Sequence, residues 1–168
     1  MPEEKCLYPF KLCQQGVRLR GQVMLADLPG VASVLLSEHG VVTYDLMCGY
    51  DDQDIARLRL QMTTELSLLC QRCLQPLIWP VECVTLLSPV CTDSAEQQLP
   101  PAYEPLRVAE TGTVRLTDLL VEELWLAMPQ LPRHATACVA QVDTPVVEDT
   151  ASAKPSPFAV LRELQLAP

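Results

Sequence analysis

Two thiols three residues apart, Cys70 and Cys73, are the side chains in this sequence best spaced for chemistry. They lie in Leu69-Cys70-Gln71-Arg72-Cys73-Leu74-Gln75-Pro76, a C-x-x-C knuckle closed by a proline, almost midway along the chain. Such a pair offers two soft ligands to a metal ion, or a dithiol to redox exchange. Zinc takes four ligands in a tetrahedron, commonly as two close pairs brought from different parts of a chain. Downstream, Pro132-Arg133-His134-Ala135-Thr136-Ala137-Cys138 offers H-x3-C, and no other stretch has comparable spacing. Cys70, Cys73, His134 and Cys138 are therefore the candidate ligands of one structural zinc. Two other readings stay open at this point: thiols that are redox-active or simply reduced, and cysteines that are buried and inert.

Position weighs against the redox reading. In thioredoxin-like sites the first cysteine sits at a helix N-terminus, whose dipole lowers its pKa. Here both flanks read as β-strands, and Pro76 disfavours a helix starting at Cys73. Cys83 falls at an alternating, core-facing position, and Cys6, Cys13, Cys48 and Cys91 have no partner at recognisable spacing. Asp118, Glu122 and Glu123 read as a solvated acidic helix face, because no base, nucleophile or phosphate loop accompanies them. The chain has no G-x-S-x-G, Walker A or G-x-G-x-x-G motif, so the expectation is that it is not an enzyme. Arg57 and Arg59 would share one strand face, with Arg72 at the knuckle tip. A solvated face is the plain reading of these arginines, and a patch contacting RNA or a partner the sharper one.

The elements that must position the knuckle are legible as periods of two and of 3.6. Residues 1–16 read as an irregular arm with Leu7, Tyr8, Phe10 and Leu12 available to the core. Alternation predicts strands over 17–25, 41–47, 55–69 and 77–90, the third of them central, with a turn at 49–52. Asp27 and Pro29 suit the start of a short helix to about Ser37, stopped by Gly40. Residues 91–105 read as a proline-rich loop, and 106–108 as a short edge strand. Leu116, Leu119, Leu120, Leu124, Ala127 and Met128 recur at helical spacing, predicting a helix over about 117–128 capped by Thr117 and ended by Pro129 and Pro132.

The fold class expected is α+β, a mostly antiparallel sheet with one main amphipathic helix and short helices near 29–37 and the C-terminus. The expected organisation is a single domain over 1–140, a flexible linker over 141–156, and a docking helix over 157–168. In that last segment Pro157 stands at the first helical position, and Phe158 and Leu161 supply apolar contacts.

Composition narrows the partners. A formal charge of −9 repels a polyanion at long range, and nucleic-acid affinity rests on Lys and Arg displacing phosphate counterions. Docking on a basic protein, or use of a small local basic patch, fits better than free-standing RNA binding, and neither DNA nor a membrane is expected as a partner. No apolar run approaches the ~18–20 residues that span a bilayer, and the acidic N-terminus leads into no apolar segment of a secretory signal. A cytoplasmic location follows as an expectation, in which the 8 cysteines stay mostly reduced.

Taken together, the knuckle Cys-Gln-Arg-Cys-Leu-Gln-Pro, the Tyr103-Glu104-Pro105 loop, the 119–129 helix with Glu123 and its Pro-x-x-Pro ending resemble the YceD family. So do Cys138 and the late run Ser156-Pro157-Phe158-Ala159-Val160-Leu161. The resemblance covers about 60–164. It implies a bacterial cytosolic protein linked to synthesis, processing or stability of 23S ribosomal RNA, without catalytic activity, acting on a large-subunit precursor through a ribosomal protein or the RNA. Other members carry a cysteine where His134 stands, and many add a further C-x-x-C afterwards. This chain has neither, and its 139–156 segment resembles the proteobacterial branch.

Overall fold

The computed structural model describes residues 6–109 and 111–138. The expected linker at 141–156 and docking helix at 157–168, with Phe158 and Leu161, lie outside the described residues. In chain order the elements are β1 (Cys6–Leu7), α1 (Pro9–Gln15), β2 (Arg18–Met24), α2 (Pro29–Ala32), β3 (Val41–Tyr50), β4 (Ala56–Leu69), β5 (Pro76–Val90), α3 (Asp93–Gln97), β6 (Glu104–Arg107), β7 (Val114–Arg115) and α4 (Leu116–Ala127). The fold is α+β, as the sequence predicts.

Five strands form one sheet in the order β2-β3-β4-β5-β6, and β1 pairs with β7 in a separate two-stranded ribbon. All pairings but one are antiparallel; β6 runs parallel to β5, with Leu87 opposite Glu104. The 14-residue β4 is central, as expected, and its pattern explains why. Leu58, Leu60, Met62, Leu66 and Leu68 fall on one face and are buried, while Arg57, Gln61, Thr63 and Glu65 fall on the other. The buried face joins Val42, Leu46, Val81 and Leu87 of its neighbours and Leu116, Leu119, Leu120 and Leu124 of α4 in one core. The opposite face carries no helix among the described residues and leaves Met24, Met47, Ile78 and Val84 exposed.

Four local expectations are corrected. The arm at 1–16 contains the helix α1, which starts with Pro9 in its first turn and closes at Gly16 in the left-handed region (φ 61). The Val17 N–H donates to the Leu12 carbonyl and the Gly16 N–H to that of Cys13, a Schellman closure that glycine permits. The helix expected over 29–37 stops at Ala32, because the Leu36 N–H donates to the Ser67 carbonyl and Ser37 bridges to Ser67. Pairing with the sheet takes the backbone out of the helical region there. The 91–105 loop contains α3, whose Thr92 cap accepts the Ala95 N–H at 3.2 Å. Thr117 does not cap α4: the helix begins at Leu116 after an extended Arg115, whose Nε donates to Asp118 Oδ2 at 2.8 Å.

Candidate metal centre

The site is assembled where β4 meets β5. At the end of β4 the Cys70 N–H donates to the Gln75 carbonyl and the Leu74 N–H to the Cys70 carbonyl, which closes a tight turn. Leu74 takes the left-handed conformation (φ 57), uncommon for a branched residue and held here by those two bonds. The turn folds both thiols to its inner side: Cys70 is 0% exposed and Cys73 8%. The irregular segment after α4 supplies the other pair. Met128 leaves the helix in extended conformation, and the Pro132 carbonyl then accepts the Gln71 N–H at 2.8 Å. That backbone bond, with the His134 N–H on Cys70 and the His134 ring on the Pro76 carbonyl, docks the 132–138 segment on the knuckle.

The four side chains that spacing singled out are thereby brought together. Their ligand atoms all lie within 4.8 Å of one another, and among the described residues no other group of three or more such side chains gathers as closely. Cys70 Sγ and Cys138 Sγ are 3.7 Å apart, and Cys73 Sγ is 3.4 Å from His134 Nδ1. A tetrahedral zinc with bonds of about 2.3 Å to sulfur and 2.0–2.1 Å to nitrogen requires edges of about 3.8 Å (S to S) and 3.6 Å (S to N). Both observed edges fit. His134 Nε2 lies 3.1 Å from the Pro76 carbonyl. With Nε2 donating to that carbonyl, the ring presents the bare Nδ1 to the thiols, the outer-shell arrangement by which proteins fix the tautomer of a metal-ligating histidine.

The electrostatics suit a thiolate centre. Burial opposes ionisation of Cys70, but the backbone N–H groups of Cys73, Arg72 and His134 and the Cys73 side chain outweigh it and hold the thiol down at about 5. Cys138 moves the other way, raised by burial and by its contacts with Cys73 and Cys70. Three sulfurs this close cannot all ionise without a cation between them, which is the condition a divalent metal meets.

The remaining candidate residues do not converge. Arg57 and Arg59 lie near the start of β4, Arg59 within 3.5 Å of Gln61 Oε1, and register places Arg59 opposite Met47, which is itself opposite Arg18. Arg72 is exposed on the knuckle at the far end of the same hairpin. The strand between Arg59 and Leu69 spans roughly 33 Å, so the three arginines form two separate surfaces. Arg18 and Arg20 extend the first, and both are bound to Asp45, with Arg18 Nη2 at 2.5 Å and Arg20 Nε at 2.9 Å.

Two relationships were not read from the sequence. Tyr103 Oη donates to Asp51 Oδ2 at 2.6 Å, tying the segment before β6 to the β3–β4 turn, whose N–H groups at Gln53 and Ile55 also bond Asp51. Glu123 is not on a solvated face with Asp118 and Glu122. It is 5% exposed, and the Thr85 hydroxyl on β5 donates to its Oε2 at 2.6 Å. Its place three or four residues from Leu119, Leu120 and Ala127 was the available signal: it falls on the buried stripe of α4.

Among the described residues no helix is long and apolar enough to cross a membrane. No solved structure matches the chain. Residues 58–165 match the family model described as "Large ribosomal RNA subunit accumulation protein YceD". A protein of Haemophilus influenzae bearing that same description is 32% identical over 162 residues, covering 94% of this chain and 92% of the relative. On the family match and this near full-length similarity, the chain belongs to the YceD family.

Proposed function

We propose that this chain is a non-enzymatic, cytoplasmic factor in accumulation of the large ribosomal subunit RNA, and that its Cys3His centre holds one structural zinc. The descriptions of the family and the relative support the link to large-subunit RNA accumulation. The observation that carries the zinc centre is closure: four protein ligand atoms lie within 4.8 Å of one another, two of their edges at tetrahedral length, with Cys70 fully buried. Catalytic zinc sites keep a coordination position for water or substrate, whereas structural sites are closed. In this reading the metal joins the β4–β5 hairpin to the segment that follows α4. The factor engages a large-subunit precursor through a ribosomal protein or a segment of 23S RNA, with Arg57 and Arg59 on one surface and Phe158 and Leu161 in the C-terminal segment as contacts.

A thiol oxidoreductase or nuclease on the same pathway is the second reading, and the lowered pKa of Cys70 speaks for it. Burial of that sulfur speaks against it, since a redox thiol must be reached by its substrate. Metal analysis of protein purified without chelator, paired with thiol titration at neutral pH, separates the two. About one zinc per chain and slowly reacting thiols support the structural site; no metal and one fast thiol at Cys70 or Cys73 would sink it. Co-sedimentation with precursor particles, undiminished on deleting 156–168, would remove the C-terminal contact.

A further inference from the structure

Helix α4 turns one carboxylate towards the sheet and into a cavity. The cavity, of about 620 Å³, lies between β6, β7 and α4, and Glu104, Glu122 and Glu123 stand on its wall beside Leu87, Leu106 and Leu119. Glu123 Oε2 accepts from Thr85, while its Oε1 has no partner among the described residues. The nearby cations are already engaged: Arg107 binds Asp93 and Glu96 at 2.7 and 2.6 Å, and Arg115 binds Asp118. Glu104, Glu122 and Glu123 have no ion pair among the described residues. Among those residues the Cys3His set is the sole group of three or more such side chains close enough to hold a metal ion, so these three carboxylates do not converge on one.

A deep carboxylate with one free oxygen, two more at the rim and apolar walls is complementary to one kind of group. We propose that this cavity receives the end of a lysine or arginine side chain presented by a basic protein. The apolar wall would cover the methylene stem, as long cationic side chains bury their stems against apolar surface. The carboxylates would take the charged head where the local dielectric makes the pair stronger than at a free surface. The net charge of −9 steers such a partner in and a phosphate chain away. Burial, with Glu104 and Glu122 close by, raises the pKa of Glu123, the condition of a carboxylate that lacks its counter-charge. The inference deepens the reading above and rests on it only in taking the basic protein to be one of the large subunit.

The test is an NMR titration of the full, isotope-labelled chain with hexalysine and hexaarginine, with hexaglutamate and a short oligouridylate as opposed probes. Saturable shifts are expected at the amides of Thr85, Glu104, Leu106, Arg107 and Glu123 with the basic peptides alone. Glu123→Gln keeps the Thr85 hydrogen bond and should weaken binding roughly tenfold, the scale of losing one charged partner at a part-buried pair. Glu104→Gln, at an exposed position, gives a second reading should the first variant fold poorly. Unchanged affinity in both variants, shifts spread evenly over the acidic surface, or the same shifts with oligouridylate would overturn the proposal. Weakened peptide binding by Glu123→Gln with normal large-subunit RNA in cells would leave the cavity standing and count against its partner being a large-subunit protein.

Discussion

The sulfur of Cys138 stands 3.7 Å from that of Cys70, 68 residues earlier in the chain. The contact brings the end of the sheet hairpin and the segment beyond α4 to one point, so loss of the centre should loosen both.

Cys138→Ser should therefore abolish metal binding and lower stability. A site filled at a hundred times its Kd contributes about 2.7 kcal/mol, and a loss of at least that order is expected. Cys91→Ser, at an exposed cysteine remote from the cluster, is the control. Calorimetry with and without a chelator checks it: the chelator should lower the Tm of the wild type and of Cys91→Ser, and leave Cys138→Ser unmoved.

Burial raises the pKa of Glu123, assisted by Glu104 and Glu122 and opposed by the Thr85 hydrogen bond. The folded chain then holds this proton more tightly than the unfolded chain does. Its contribution to stability is full below the ordinary carboxyl range and is lost as pH rises through the folded value. Glu123→Gln should stabilise the protein at neutral pH by about 1 kcal/mol, the scale of an unsatisfied buried group. The gain should vanish near pH 4, which urea unfolding at the two pH values would show.

Asp45 titrates in the opposite sense. Its hydrogen bond from Arg18, against some burial and with help from Arg20, holds it at about 2. The stability it contributes is present above the ordinary carboxylate value and is lost as pH falls towards about 2. Asp45→Asn should be less stable than the wild type at pH 6, and the two should converge in strong acid. A constant gap across the acid limb would refute the assignment.

Gly30 sits where α2 meets α4: a Cβ added there would stand 2.8 Å from Val121 Cγ1. Valine is stiff at χ1 and has little room to yield. Gly30→Ala should cost about 1–3 kcal/mol, the usual range for overpacking. Val121→Ala in the same chain should recover part of that loss, which a double-mutant cycle by denaturant unfolding would measure.

Much of this protein is written locally. Alternation over the β4 and β5 segments determines two strands and which side chains they bury, because a strand's two faces follow from a period of two. The C-x-x-C and H-x3-C spacings determine the four candidate ligands, since each pair needs only a turn to converge. The α1 helix was legible too, through Pro9 and Gly16, although apolar patterning alone missed it. What the sequence leaves undetermined depends on partners distant in the chain. The Pro132 carbonyl on the Gln71 N–H brings the two ligand pairs together, and the Pro76 carbonyl selects the nitrogen that His134 presents. The 29–37 helix is cut short by Ser67, and Arg72 is separated from Arg57 and Arg59 by the length of a hairpin. Glu123 lies on a stripe the periodicity marks as buried, yet its charge argued for solvent. Only the packed sheet, by offering the Thr85 hydroxyl and a cavity, places that carboxylate inside. As for the knuckle itself, its thiols were recognisable from spacing, but the closed geometry that favours a structural metal over an exposed reactive pair exists only once sheet and helix have packed.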